Sequence, residues 1–253
     1  MLKISLTGAY TRLYFAVSRF KHLFPMPAHS SLTGNGFVKH DLADRLRTEI
    51  MNGSLPRGVR IVEGKWAQKF GVAQGSIREA INILALEGFV NKESGRSARV
   101  VHLTEKDVAQ LYELRGALEG LAARLAVQMR PDLSKIQSAV DSMRNAANVG
   151  NCEALLQYDL QFHLELCELS GNPFIVEQSR RLLVPFFAFV RMRVAASGQT
   201  TSPWDKDLEA HQRIIDLVRE AEGEVAEQYV KKAMARFAKT AYDNWENRTP
   251  HAG

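Results

Sequence analysis

Two cysteines, Cys152 and Cys167, are too few for a disulfide framework in a chain of 253 residues. The fourteen residues between them match no CxxC or zinc-knuckle spacing, so a reduced, cytoplasmic protein is expected. No apolar run approaches the roughly 18 residues that cross a bilayer, so no membrane partner is expected either. Acidic residues are missing altogether from residues 1–36, and the first is Asp41. What is present in ordinary amount is apolar side chain, at 45%, enough to build a core and to set aside a disordered chain.

The acid-free stretch matters because it makes the charge lopsided. Residues 1–102 carry 15 Lys and Arg against 7 Asp and Glu, whereas residues 103–253 carry 18 against 21. A basic front on a mildly acidic back suggests a polyanion-binding module joined to a domain with another task. Within residues 1–36, Lys3, Arg12, Arg19 and Lys21 alternate with Leu13, Tyr14, Phe15, Phe20 and Phe24. That stretch reads as a flexible basic extension, with an amphipathic targeting segment as the other reading.

Residues 37–102 then read as one domain. Val38, Leu42, Leu46 and Ile50 recur every four residues, a helical spacing stopped by Asn52-Gly53. A short helix is expected over 63–70, ended by Gly71, and a second over 74–87, ended by Gly88. Two β-like stretches, 89–92 and 97–102, flank a turn at Ser94-Gly95-Arg96. Helix, turn, helix and hairpin in about sixty residues outline a winged helix-turn-helix. In its second short helix Ile77, Ala80, Ile81 and Leu84 form an apolar back. Gln74, Gly75, Ser76 and Arg78 lie toward the helix N-terminus, where a recognition helix presents donors to DNA. Lys65 on the preceding helix, and Gly95 and Arg96 at the hairpin tip, complete the candidate DNA-binding set.

Residues 103–247 read as helix throughout, with six segments at 104–129, 133–148, 152–169, 174–195, 204–221 and 224–244. Short connections at Gly150, Gly171-Asn172-Pro173, Gly198 and Gly223 make this an all-α bundle. The fold class is therefore mainly α: a winged helix-turn-helix followed by a helical bundle. Asp159 and His163, four apart, share a face with Leu155, Leu156, Phe162 and Leu166, and His211 sits among Leu208, Ile214, Ile215 and Val218. A carboxylate and two imidazoles on apolar faces suit a divalent ion such as zinc, nickel, manganese or iron. A hydrogen-bonded core cluster is the other reading. Arg115 falls within an inward stripe of Leu111, Leu114, Leu118, Ala122 and Leu125. It needs an anion, which is either Glu119 one turn on or the carboxylate of a small effector.

Residues 61–72, together with Ser76-Ile-Arg-Glu-Ala-Ile-Asn-Ile-Leu-Ala-Leu-Glu-Gly-Phe-Val90, resemble the GntR family of bacterial transcription regulators. Leu111-Tyr-Glu-Leu-Arg-Gly-Ala-Leu-Glu-Gly120, Ser170-Gly-Asn-Pro173 and Glu209-Ala-His-Gln-Arg-Ile-Ile215 resemble its FadR-type ligand domain, FCD. The resemblance implies a homodimer on double-stranded operator DNA, with a small carboxylate effector weakening binding. It also implies metal ligation by Asp159, His163 and His211, and a place for Arg115 in the ligand cavity. The chain departs from the family pattern at Gln74, where arginine is usual, at Ala73 for serine, at Gly64 for arginine, and at Ala233, where the family places its last histidine. The competing reading is a metal-dependent oxygenase built on two histidines and one carboxylate.

Overall fold

The computed structural model describes residues 35–92, 98–197 and 205–246. The first element among the described residues is α1 (Asn35–Met51), which precedes the short β1 (Arg60–Ile61). The helix-turn-helix is α2 (Glu63–Phe70) and α3 (Gln74–Leu86), followed by β2 (Val90–Lys92) and β3 (Ala98–Val100). The second half consists of α4 (Glu105–Met129), α5 (Ser134–Asn148), α6 (Cys152–Leu169), α7 (Pro173–Ser197), α8 (Asp205–Arg219) and α9 (Gly223–Glu246). Among the described residues no helix is long and apolar enough to cross a membrane.

The three strands form an antiparallel sheet in the order β1-β3-β2, with Arg60 and Asn91 both opposite Arg99. The expected hairpin thus gains a third strand. Two residues of strand, Arg60 and Ile61, are too short to show any alternation in sequence. Strand β2 also starts one residue later than expected, because the Phe89 amide is still taken up in closing the preceding helix, donating to the Leu84 carbonyl.

Local chemistry accounts for the helix ends. Gly71 stops α2 in the left-handed region (φ 68°), which a residue with a Cβ rarely adopts. Thr104 and Asp107 form a reciprocal capping box at the start of α4. Three residues of the Ser170–Pro173 turn have a local role. The Ser170 hydroxyl donates to the Cys167 carbonyl, and the Asn172 side chain accepts from the amides of Phe174 and Ile175. Pro173 then occupies the first helical position, where its missing N–H costs nothing.

In the helical half, α4 and α9 lie close together because α4 places glycines between them. A Cβ on Gly120 would stand 3.1 Å from the Glu227 carbonyl, and one on Gly116 would stand 3.4 Å from Met234 Cβ. This corrects the inward stripe expected for α4. The correction falls on Leu114, which is 53% exposed; Ala122 and Arg115 are buried and Leu111, Leu118 and Leu125 half-buried as the stripe requires, while Gly116, Gly120, Ala123 and Ala126 add a second buried face. Small residues won because only they allow the α9 backbone this near. The DNA-binding half has no separate core. Leu42, Leu46, Ile77, Leu84 and Phe89 pack in one cluster with Leu183, Phe186, Phe187, Phe189 and Met192 of α7.

Candidate nucleic-acid interface and metal centre

The apolar back of α3 is buried as its spacing requires: Ile77, Ala80, Ile81 and Leu84 are at most 3% exposed. That anchoring turns Gln74, Gly75 and Arg78 outward, and all three are exposed, as is Lys65 on α2. Ser76 is half-buried. Gly95 and Arg96 lie outside the described residues. At the far end of α3, Arg47 of α1 grips Glu87 through two hydrogen bonds of 2.9 and 2.8 Å, fixing the helix against its neighbour.

The two departures from the family pattern at Gly64 and Gln74 meet in space. The Gln74 side-chain nitrogen sits 3.1 Å from where a Gly64 Cβ would be, so the amide lies over a position without a side chain. Arg78 has a partner that the sequence reading did not identify. Its Nε donates to both oxygens of Glu63 (3.1 and 3.2 Å), and its Nη2 donates to Oε2 at 2.7 Å. Nothing in the local pattern could have revealed this pair, because its members belong to different helices.

In the helical half, α6 and α8 bring the three predicted ligands together. His163 Nε2 lies 3.2 Å from Asp159 Oδ1, and His211 Nε2 lies 3.0 Å from the same oxygen. The two Nε2 atoms are 3.4 Å apart. An ion bound at ordinary zinc distances needs neighbouring donors roughly 3.0–3.4 Å apart, so the set fits a first-row divalent cation. The outer partners fit as well. His211 Nδ1 donates to the Asp207 carbonyl at 2.6 Å, and His163 Nδ1 faces Glu119 Oε2 at 2.6 Å in an ion-pair contact away from linear hydrogen-bond geometry. Such contacts turn both Nε2 atoms toward one point and raise ligand basicity. Ala233, at the position of the family's last histidine, is buried and has no donor to offer.

Glu119 is fully buried and joins this cluster to Arg115, whose Nε donates to Oε1 at 2.7 Å. Of the two anions considered for Arg115, its own helix therefore supplies one. The Nη groups make no hydrogen bond among the described residues, and the guanidinium lies 4.9 to 5.4 Å from the rings of Phe186, Phe187 and Tyr112.

Charge in this network is strongly coupled. Burial alone would raise the Glu119 carboxyl, but Arg115 and His163 pull it down to about 2. Burial opposes ionisation of Asp159 too, and hydrogen bonds from His163 and His211 overcome it, holding that carboxyl far below its usual range. Burial would lower His163, yet Glu119 and Asp159 leave it raised. The arrangement is a continuous line of polar contacts, Arg115–Glu119–His163–Asp159–His211, packed against Phe162 and Phe187.

Comparison with known proteins agrees with both halves. Residues 39–100 match the family described as bacterial regulatory proteins, gntR family, and residues 110–236 match the FCD domain. The chain is 26% identical over 221 residues to a probable D-xylose utilization operon transcriptional repressor of Paenarthrobacter nicotinovorans, covering 87% of this chain and 96% of that one. It is 25% identical over 184 residues to the gluconate operon transcriptional repressor of Bacillus licheniformis, covering 70% and 74%. The structure of E. coli McbR/YncC shares the fold, with a TM-score of 0.62 at 16% identity over 85% of this chain and 100% of the other. These relatives are regulators rather than enzymes, and the oxygenase reading finds no support in them. With an exposed recognition helix on its basic half and an FCD bundle behind it, the chain belongs to the GntR family, in its FadR-like, FCD-containing branch, and is a DNA-binding transcription regulator.

Proposed function

We propose that this regulator is a homodimeric repressor whose operator affinity falls when a small carboxylate binds in the FCD domain beside a divalent metal. The observation that carries this reading is the convergence of Asp159 Oδ1 and the Nε2 atoms of His163 and His211, all within 3.4 Å of one another. Similarity to repressors named for the D-xylose utilization and gluconate operons supports repression as the sense of control. One recognition helix reads only a half-site, so specific binding calls for two copies.

Asp159, His163 and His211 would hold the ion, which as a Lewis acid attracts an anionic oxygen. Glu119 and the Asp207 carbonyl orient the two imidazoles, and the Nη edge of Arg115 has donors left for a carboxylate. With Ala233 in place of a fourth ligand, one more coordination position is left to water or effector than in a fully ligated relative.

The way to DNA is short. Arg115 stacks on Phe186 and Phe187, and the next residue along α7, Pro185, abuts Gly88 at the end of the recognition helix. A ligand that shifts these rings changes the support under α3. Its effect is limited to its difference in affinity for the two arrangements.

The test uses the full chain purified without chelator. Elemental analysis, then titration with zinc, nickel and manganese, should show stoichiometric uptake at micromolar metal. His163→Ala should abolish uptake, and Ala233→His should tighten it. Anisotropy on operator DNA, with a panel of small mono- and dicarboxylates, should then show release by one of them only in the metal-loaded protein. No stoichiometric uptake sinks the metal reading. Release that is unchanged in His163→Ala sinks the coupling.

A further inference from the structure

We propose that Glu63 is a specificity-setting residue for DNA recognition, acting by fixing Arg78 so that this arginine reads a base instead of attracting a phosphate. The inference rests on Arg78 being part of the DNA interface. Two observations carry it: the three hydrogen bonds between the side chains, and the unequal exposure of the pair.

An arginine offers five N–H donors in a fixed plane. Glu63 takes the Nε–Nη2 edge completely, accepting from Nε at 3.1 and 3.2 Å and from Nη2 at 2.7 Å. What remains is the end of the guanidinium, Nη1 and the second hydrogen of Nη2. That end-on pair matches the O6 and N7 acceptors of guanine in the major groove. The Arg78 side chain is 47% exposed and the Glu63 side chain 15%, so the carboxylate sits beneath and the guanidinium outside.

The pairing also changes what Arg78 is worth to the polyanion. A free arginine adds a full charge to non-specific binding and releases about one counterion on meeting a phosphate. An arginine neutralised by its own carboxylate gains little from a phosphate wherever it lands, whereas a base edge still offers directed acceptors. Glu63 therefore lowers affinity for DNA in general and raises the ratio of specific to non-specific binding. A specificity device of this kind works partly by penalising the wrong partner.

Glu63 has a second role that must be separated from this one. As the acidic residue in the first turn of α2 it also favours the helix through its dipole. Glu63→Asp keeps that charge but withdraws the carboxylate by one methylene, out of reach of the Arg78 fork. Glu63→Gln keeps the length and removes the charge.

The experiment combines selection from a random-site library with anisotropy titrations over a range of salt, on the full-length wild type, both Glu63 variants and Arg78→Ala. Glu63→Gln is expected to bind random-sequence DNA more tightly, with a salt slope steeper by about one, while its specificity ratio falls about tenfold. Glu63→Asp should melt as the wild type does, show a salt slope between those of the wild type and Glu63→Gln because its carboxylate stays near but no longer holds the guanidinium, and lose base preference at the position that Arg78→Ala also relaxes. Wild-type motifs and ratios in both Glu63 variants, with relaxation in Arg78→Ala, would overturn the positioning role alone. No relaxation in Arg78→Ala would overturn the reading of Arg78 beneath it. Parallel loss of specific and non-specific binding with a lowered melting temperature would mean that Glu63 only supports α2, and would also overturn the proposal.

Discussion

Gly88→Ala should weaken the joint between the two halves of this regulator, and Gly71→Ala provides a control with nearly the same backbone. Both glycines lie in the left-handed region, with φ of +78° and +68°. An L-residue there costs about 1–2 kcal/mol, so each substitution carries that loss. Their surroundings differ. A Cβ at Gly71 meets nothing within 4 Å, whereas one at Gly88 would stand 2.6 Å from the Val184 carbonyl oxygen and 2.7 Å from Pro185 N and Cα.

Those neighbours are backbone atoms of α7, so no side chain can swing aside. The contact must open or α7 must bend, which adds an overpacking cost of about 1–3 kcal/mol. Gly71→Ala should therefore lose about 1 kcal/mol and Gly88→Ala about 3 kcal/mol. At a urea slope near 3 kcal/mol per molar, the second substitution lowers the unfolding midpoint by about 1 M, roughly three times the first. Urea titrations followed by circular dichroism on the wild type and both variants read this directly. Equal midpoints for the two variants would refute the tight approach of α3's end to α7, and with it the proposed route from Phe186 and Phe187 to the DNA.

Three further outcomes are expected. Arg115→Met should cost about 3 kcal/mol in thermal or chemical melts with no carboxylate present, because Glu119 stays buried without its cation; unchanged melting would show that Arg115 serves only a ligand. The chelator-treated protein should lose stability as pH rises above about 6.5, since the folded His163 holds its proton to higher pH than the unfolded chain does. Stability from the depressed carboxyls of Asp159 and Glu119 is present above their unfolded pKa near 4 and lost only as pH falls through their lower folded values, so it does not mask that slope. Zinc should reverse the slope, because it binds the neutral imidazole; identical pH profiles with and without zinc would count against a shared site. Gln74→Arg should shift the selected operator toward guanine at its position, and the open space over Gly64 gives the longer side chain room; an unchanged motif would mean that position 74 does not reach a base edge.

The sequence by itself determined whatever is settled within one or two turns of chain. Gly71, Thr104 and Asn172 end or begin helices through their own backbone or side chain, so the boundaries there are readable. The spacing of Ile77, Ala80, Ile81 and Leu84 fixes which side of α3 is buried, and hence that Gln74 and Arg78 face outward. Asp159 and His163 share a face because they are four apart on one helix. Tertiary structure decided what depends on a second element. Leu114 turned outward because glycines on another face of α4 let α9 approach. Arg78 met Glu63, fifteen residues away, and His211 met His163, forty-eight residues away, across helices whose packing no local pattern encodes. The approach of Gly88 to Pro185 is of the same kind, since both halves share one hydrophobic cluster. Periodicity names the face a side chain is on; only packing brings another face to meet it, and the charges and hydrogen bonds of this regulator are completed at those meetings.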